Sequence, residues 1–105
     1  MSRIIDTKIK TDKERPQLKI GDKIYEVDNR KKTFDKIEKL RKDKTISETD
    51  MTDKIIEMTL GKKQANEILE LDITLDEYVY LTFCIMAAIT GEDPDELQKA
   101  AKEKN

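Results

Sequence analysis

The sequence contains no histidine, a single cysteine, only three glycines and no long apolar run. Without histidine, the chain lacks the side chain that most often serves as a general base or a metal ligand. One cysteine excludes a disulfide scaffold, and three separated glycines form no phosphate-binding loop. The longest nearly unbroken apolar segment, residues 78–89, has 12 residues, whereas a membrane-spanning helix needs about 20. These absences favour a non-enzymatic binding protein without a cofactor.

Charged residues dominate what is present. The 105 residues include 21 basic and 23 acidic side chains, 42% of the chain, and mean hydropathy is -0.77. Ile4 and Ile5 are followed at once by Asp6 and Lys8, so we expect no secretory signal peptide. We therefore expect a soluble, cytoplasmic protein with no membrane partner, of a length that suits one domain.

The two halves of the chain differ in charge and apolar content. Residues 1–54 carry 14 apolar side chains and a net charge of +4, whereas residues 55–105 carry 24 and a net charge of -6. Residues 1–15 are poor in apolar groups and predict either a mobile arm or a weak edge strand over Arg3 to Lys10. Residues 16–105 are predicted to form a single domain.

Residues 16–28, PQLKIGDKIYEVD, predict a β-hairpin. Gly21-Asp22 is a two-residue turn with glycine first, where the primed hairpin turns need a positive φ. Pairing Ile20 with Lys23 places four apolar side chains on one face. They are Leu18, Ile20, Tyr25 and Val27. A two-stranded ribbon with one apolar face is not stable alone, so the hairpin is expected to lie on helices.

Five helices follow, predicted over residues 29–44, 48–60, 62–71, 75–90 and 94–103. Asp28 or Asn29 is expected to cap the first helix, and Gly61 is expected to end the second. The apolar positions expected to face inward in the first three are Phe34, Ile37, Leu40, Met51, Ile55, Met58, Ala65, Ile68, Leu69 and Leu71. The fold class is therefore α+β, mainly α, with an N-terminal β-hairpin packed on a compact bundle of four to five short helices.

The last two helices carry the clearest boundary signals. Thr74 and Glu77 form a capping box ahead of the fourth, while Asp93 caps the fifth and Pro94 occupies its first turn. The fourth helix is apolar in nearly every direction, which is typical of a buried helix. Its short, charged neighbours carry little apolar surface to cover it, and leftover apolar surface indicates a partner. We expect this partner or oligomer interface at Tyr80, Leu81, Cys84 and Ala87.

No catalytic or metal site is predicted. Cys84 lies in the middle of an apolar helix, where a small core residue is the simplest interpretation. Asp76 and Glu77 at a helix start complement the helix dipole. The acidic run from Glu92 to Glu96 is explained by a proline-started helix and is too short for a calcium loop.

The first helix has a basic face that includes Lys32, Lys36 and Lys39. Such a face neutralises phosphates in nucleic-acid-binding proteins, but acidic residues interrupt it, and the chain's pI of about 5.3 weighs against that function. A solvated helix face is the simplest interpretation. A contact with the acidic half of a neighbouring subunit is a third possibility.

The second half resembles a known family in the stretch LGKKQANEILELDITLDEYVYLTFCIMAAITGEDPDEL. It is similar to the small tail assembly chaperones of long-tailed phages and prophages of Gram-positive bacteria. Their shared features correspond here to Gly61, Glu67 to Leu71, Thr74 to Tyr78 and Ala87 to Glu96. The hairpin LKIGDKIYEV also resembles that family's opening ribbon. The resemblance covers about residues 17–100 and leaves out residues 1–16.

The resemblance implies a non-enzymatic chaperone that binds the tape measure protein, keeps its apolar helices soluble and then gives way to tail tube subunits. It implies a homo-oligomer in the host cytoplasm during phage assembly. Binding would follow the helix-in-groove mode. Two alternatives remain open: a structural virion protein, such as a head–tail connector or tail terminator, and a small nucleic-acid-binding regulator that uses residues 30–44. Mature virions would retain the structural protein but not a chaperone.

Overall fold

The hairpin forms as predicted. A computed structural model of the chain describes residues 2–10 and 13–103. Strand β1 (Gln17–Ile20) pairs antiparallel with β2 (Lys23–Glu26), and Leu18 lies opposite Tyr25 in the predicted register. Tyr25 is buried at the end of this ladder, so the hairpin places its apolar face on the helices.

The hairpin is joined to the helices by its backbone as well as by its side chains. Val27 N donates to Pro16 O at 2.9 Å, and Asp28 N donates to Thr59 O at 2.7 Å. The second bond connects the end of the hairpin to the end of α2, so the two elements share one hydrophobic core. Ile24 faces away from this core and is exposed.

The five helices are α1 (Lys31–Arg41), α2 (Glu48–Leu60), α3 (Lys62–Leu69), α4 (Leu75–Thr90) and α5 (Pro94–Glu103). The bounds predicted for α2 and α4 and the predicted start of α5 are confirmed, whereas α1 and α3 are shorter than predicted. Helix α5 continues to the last described residue, Glu103. Helix α3 ends at Leu69, which is exposed although it was expected inside. Gly61 is both the last cap of α2 and the first cap of α3, with φ 86° and ψ 158°.

The predicted cap of α1 is wrong. Arg30 occupies the capping position without a side-chain bond to the helix. Asp28 instead accepts hydrogen bonds from the Arg30 guanidinium and from Thr33 Oγ1, each at 2.8 Å. Its carboxylate is buried between the hairpin and α1. At the other end, Asp43 accepts from Thr45 N at 2.9 Å, and this local turn competes with further helical bonds.

The caps of the later helices behave as the sequence predicts. Thr74 Oγ1 accepts from Glu77 N at 3.1 Å while Glu77 Oε1 accepts from Thr74 N at 2.8 Å, which completes the capping box of α4. Asp93 Oδ1 accepts from Asp95 N at 2.8 Å at the start of α5. These reciprocal bonds satisfy backbone donors that lack partners within the helix.

The core lies between the hairpin and helices α1 to α4. Its buried apolar members are Tyr25, Val27, Ile37, Ile55, Ile56, Leu60, Ala65, Ile68, Tyr78, Ile85 and Met86. Helix α2 packs against α1, α3 and α4, while α4 also packs against α5 and β1. Only Tyr78, Ile85 and Met86 of α4 are buried, so the expectation of a buried helix is wrong. Helix α5 contributes no buried residue, and therefore much of α4 stays partly open.

The N-terminal segment lies outside this core. The described residues before the hairpin, 2–10 and 13–15, are all exposed. Residues 3–10 form no strand, because the backbone turns where Asp6 Oδ1 accepts from Lys8 N at 2.9 Å. Met1, Thr11 and Asp12, which the arm prediction includes, lie outside the described residues, as do residues 104 and 105 of the predicted domain. No helix among the described residues has the length and apolar character to cross a membrane.

Candidate functional site

An open apolar cleft of about 590 Å³ lies where helices α1, α2 and α5 meet α4. Helices α2 and α5 both pack against α4 and form the two walls, while α1 closes one end. The floor comes from positions 79, 83, 86 and 90 of α4, whose spacing of three and four residues places them on one helix face. The apolar lining residues are Phe34, Met51, Ile55, Val79, Phe83, Met86, Leu97, Ala100 and Ala101.

The cleft is open because of the side chains that face it. Ala100 and Ala101 are small and exposed, so the α5 wall leaves α4 partly uncovered. Phe83 and Val79 are consequently half-buried rather than enclosed. Partly buried aromatic and aliphatic side chains in a concave site are the usual features of a surface that accepts apolar groups.

A second cleft of about 550 Å³ continues the first towards the start of α4. The two share Glu48, Val79, Phe83 and Ala101, and the second reaches Leu75. We call the combined surface the α4 groove. It runs along the whole of α4, about 22 Å at 1.5 Å per residue, which is enough for about four turns of a bound helix.

The rim of the α4 groove is predominantly acidic. Glu48, Asp76 and Glu92 have no ion-pair partner among the described residues. Glu38 is neutralised by Arg41, whose guanidinium lies 3.5 Å from its carboxylate. Lys102 is the remaining basic residue of the lining. The groove therefore presents an apolar floor within a rim that favours basic groups.

Three of the four residues predicted as an interface occupy the neighbouring face of α4. Tyr80, Leu81, Cys84 and Ala87 are all half-buried, and none lines the α4 groove. Tyr80, Cys84 and Ala87 lie about a quarter turn around the helix from Val79 and Phe83. Leu81 lies on the side of α4 opposite the groove and packs against the core. The structure thus brings Tyr80, Cys84 and Ala87 together as a single patch beside the groove and separates Leu81 from them.

Helix α5 covers part of this patch. Tyr80 Oη donates to Asp95 Oδ1 at 2.6 Å, and this hydrogen bond raises the pKa of Tyr80 to about 12. Burial raises the pKa of the Cys84 thiol. A raised pKa lowers the thiolate fraction, so Cys84 is a poor nucleophile at neutral pH.

The basic face lies on the exposed surface of α1. Lys32, Lys36 and Lys39 are all exposed and are spaced by four and three residues, which places them on one side of the helix. None of them lines the α4 groove. The two surfaces are therefore separate, and substitutions can test them independently.

The groove residues were the part of the site that sequence reasoning missed. Val79, Phe83 and Met86 were recognised only as members of a helix that is apolar on all sides. Their three- and four-residue spacing was visible, but equivalent spacing exists on the other faces. The small size of Ala100 and Ala101 in α5 was the one signal that distinguished this face.

The α4 groove offers apolar contact area and rim charges rather than reactive groups. Among residues 2–10 and 13–103, no group of three or more cysteine, aspartate or glutamate side chains is placed to hold a metal ion. Comparison of the chain with protein-family models, curated proteins and solved structures found no match.

Proposed function

We propose that this chain is a non-enzymatic tail assembly chaperone of a phage or prophage, which binds the tape measure protein in the host cytoplasm and keeps it soluble. The resemblance of residues 17–100 to that family suggests the class. The observation that carries the proposal is the α4 groove, because an open apolar trough about four turns long suits an amphipathic helix. Such helices expose apolar stripes that aggregate unless they are covered.

Reversible binding is what the proposal requires. The groove has an apolar floor but no enclosed pocket, so a bound helix keeps its polar side in water and can leave. Tail tube subunits that bind the same tape measure helices would then displace the chaperone by mass action.

The test is co-expression with the neighbouring tape measure protein, using a matched pair of variants. Leu75 and Leu69 are 65% and 60% exposed, but only Leu75 lines the α4 groove. Burial of one leucine is worth about 1.5–3 kcal/mol, so Leu75→Glu should weaken client binding about tenfold or more. Leu69→Glu should leave it unchanged.

Two outcomes contradict the proposal. A tape measure protein that is equally soluble without this chain removes the chaperone function. Detection of the chain in purified mature virions by mass spectrometry favours a structural virion protein instead.

A further inference from the structure

The N-terminal arm, of which the structure describes residues 2–10 and 13–15, carries apolar side chains that the rest of the described chain does not cover. Ile4, Ile5 and Ile9 are 92%, 68% and 71% exposed. The described side-chain hydrogen bonds of residues 2–10 are all local, between Asp6 and Lys8 and between Thr7 and Ile9. Three exposed isoleucines within six residues are unusual on a solvated surface and indicate a binding segment.

The α4 groove is the complementary surface on the same chain. Its floor is apolar and partly open, and its rim carries Glu48 and Glu92, which have no ion-pair partner among the described residues. On the arm, Asp6 already pairs with Lys8 at 3.2 Å. Arg3 and Lys10 are left to meet the acidic rim.

The dimensions also agree. In an extended chain, Ile4 to Ile9 span about 17 Å, which fits within the groove length of about 22 Å. In the sequence, residues 11–15 separate this segment from Pro16. The arm does not lie in the groove of its own chain, since its isoleucines are exposed in this structure.

We propose that residues 3–10 of one copy bind in the α4 groove of a second copy, so that the free protein associates through arm exchange. Ile5 and Ile9, which lie on one side of an extended chain, contact the floor beside Phe83, and Arg3 and Lys10 face Glu48 and Glu92. The contact is head-to-tail, so repetition gives a closed ring or an open chain of subunits. The inference rests on the proposed function only in taking the groove as a binding surface, and it gives that groove an occupant until a client helix displaces it.

The first test measures self-association by sedimentation equilibrium, without tape measure protein. Ile4→Ser, Ile5→Ser and Ile9→Ser in one chain should lower the association constant about tenfold or more, because partial burial of Ile5 and Ile9 already exceeds the free energy of a tenfold change. Ile24→Ser is the matched control, since Ile24 is exposed on the outer face of the hairpin and outside the arm. It should leave the association constant unchanged.

The second test exchanges charges without altering the core. Arg3→Glu with Lys10→Glu, and Glu48→Arg with Glu92→Arg, should each weaken self-association. All four positions are exposed, so folding should be preserved. Mixing the two variants, or combining all four changes in one chain, should restore association, because each arm then meets a rim of opposite charge.

Several results would overturn the inference. One is a native chain that stays monomeric at every concentration tested, and another is an arm that binds in the groove of its own chain. The others are a loss of self-association with Ile24→Ser equal to that of the arm variant, and a charge exchange that does not restore self-association. The client assay fails separately. A chain that associates through its arm but does not solubilise the tape measure protein contradicts the proposed function alone, and a monomer that still solubilises it contradicts only the inference.

Discussion

At the scale of single residues, the Asp28 carboxylate accepts more hydrogen bonds than any other side chain among the described residues. It is buried, and it accepts from the backbone and guanidinium of Arg30 and from the hydroxyl of Thr33. The Arg30 hydrogen bond holds the pKa of the Asp28 carboxyl well below its usual range. This one side chain therefore connects the end of the hairpin to the first turn of α1.

Asp28→Asn should lower the free energy of unfolding at neutral pH by about 1–3 kcal/mol, because it replaces charge-assisted hydrogen bonds with neutral ones. Since the folded-state pKa is depressed, the stability from Asp28 is present above about pH 4 and is lost as the pH falls below it. Urea denaturation as a function of pH should therefore show that the free energy of unfolding falls less at acid pH in the variant than in the native chain.

Asp35→Asn is the control for this prediction. Asp35 forms an exposed ion pair with Lys31 at 2.8 Å, and such pairs contribute little to stability. An equal effect of the two substitutions would mean that the Asp28 network does not stabilise the joint.

Two tyrosines of α4 titrate unusually. Burial raises the pKa of Tyr78, whose hydroxyl also donates to Asp53, and the hydrogen bond to Asp95 raises the pKa of Tyr80. A folded-state pKa above the unfolded value means that this stability is fully present below about pH 10 and is lost as the pH rises further. Tyr78→Phe combined with Tyr80→Phe should flatten the alkaline limb of the stability profile. If the alkaline loss of stability is unchanged in this variant, groups other than these two tyrosines cause it.

At the scale of elements, the five helices differ in how firmly they are held. Helices α2 and α4 contribute five and three buried residues, whereas α5 contributes none. Helix α5 is retained by half-buried Leu97 and by the Tyr80–Asp95 hydrogen bond. It is therefore expected to be the first helix to detach locally.

Tyr80→Phe should accelerate amide hydrogen exchange across α5 and increase alkylation of Cys84, since one of the few links between α4 and α5 is lost. Tyr78→Phe is the matched control, because its hydroxyl contacts Asp53 of α2 instead. It should affect α2 and leave α5 unchanged. The same pattern of exchange in both variants would refute a specific role for the Tyr80 contact.

Local chemistry explains which elements were predictable. Thr74, Glu77 and Asp93 act within one helical turn, and the bounds of α4 and α5 followed from them. The start of α1 did not follow, because Asp28 has a stronger partner in the Arg30 guanidinium than in the helix backbone. The α4 groove was not predictable either, since its position depends on which faces of α4 distant helices cover.

At the scale of the whole molecule, the acidic rim of the α4 groove and the basic face of α1 are separate surfaces. Lys32→Glu, Lys36→Glu and Lys39→Glu in one chain should leave tape measure solubility unchanged, because these lysines lie outside the groove. Co-expression followed by fractionation checks this. Loss of client solubility, together with salt-sensitive binding of nucleic acid by the native chain, would favour the regulator alternative.

Gly61 joins α2 to α3 in a backbone conformation that no L-residue with a side chain adopts without strain. The turn between α2 and α3, which places Ile68 in the core, thus depends on the lack of a Cβ atom at position 61. In a chemically synthesised chain with D-alanine at this position, the positive φ of the turn would be favourable, because D-residues prefer positive φ values. The mirror-image residue would restrict the unfolded chain and so make the protein more resistant to denaturation than the natural one.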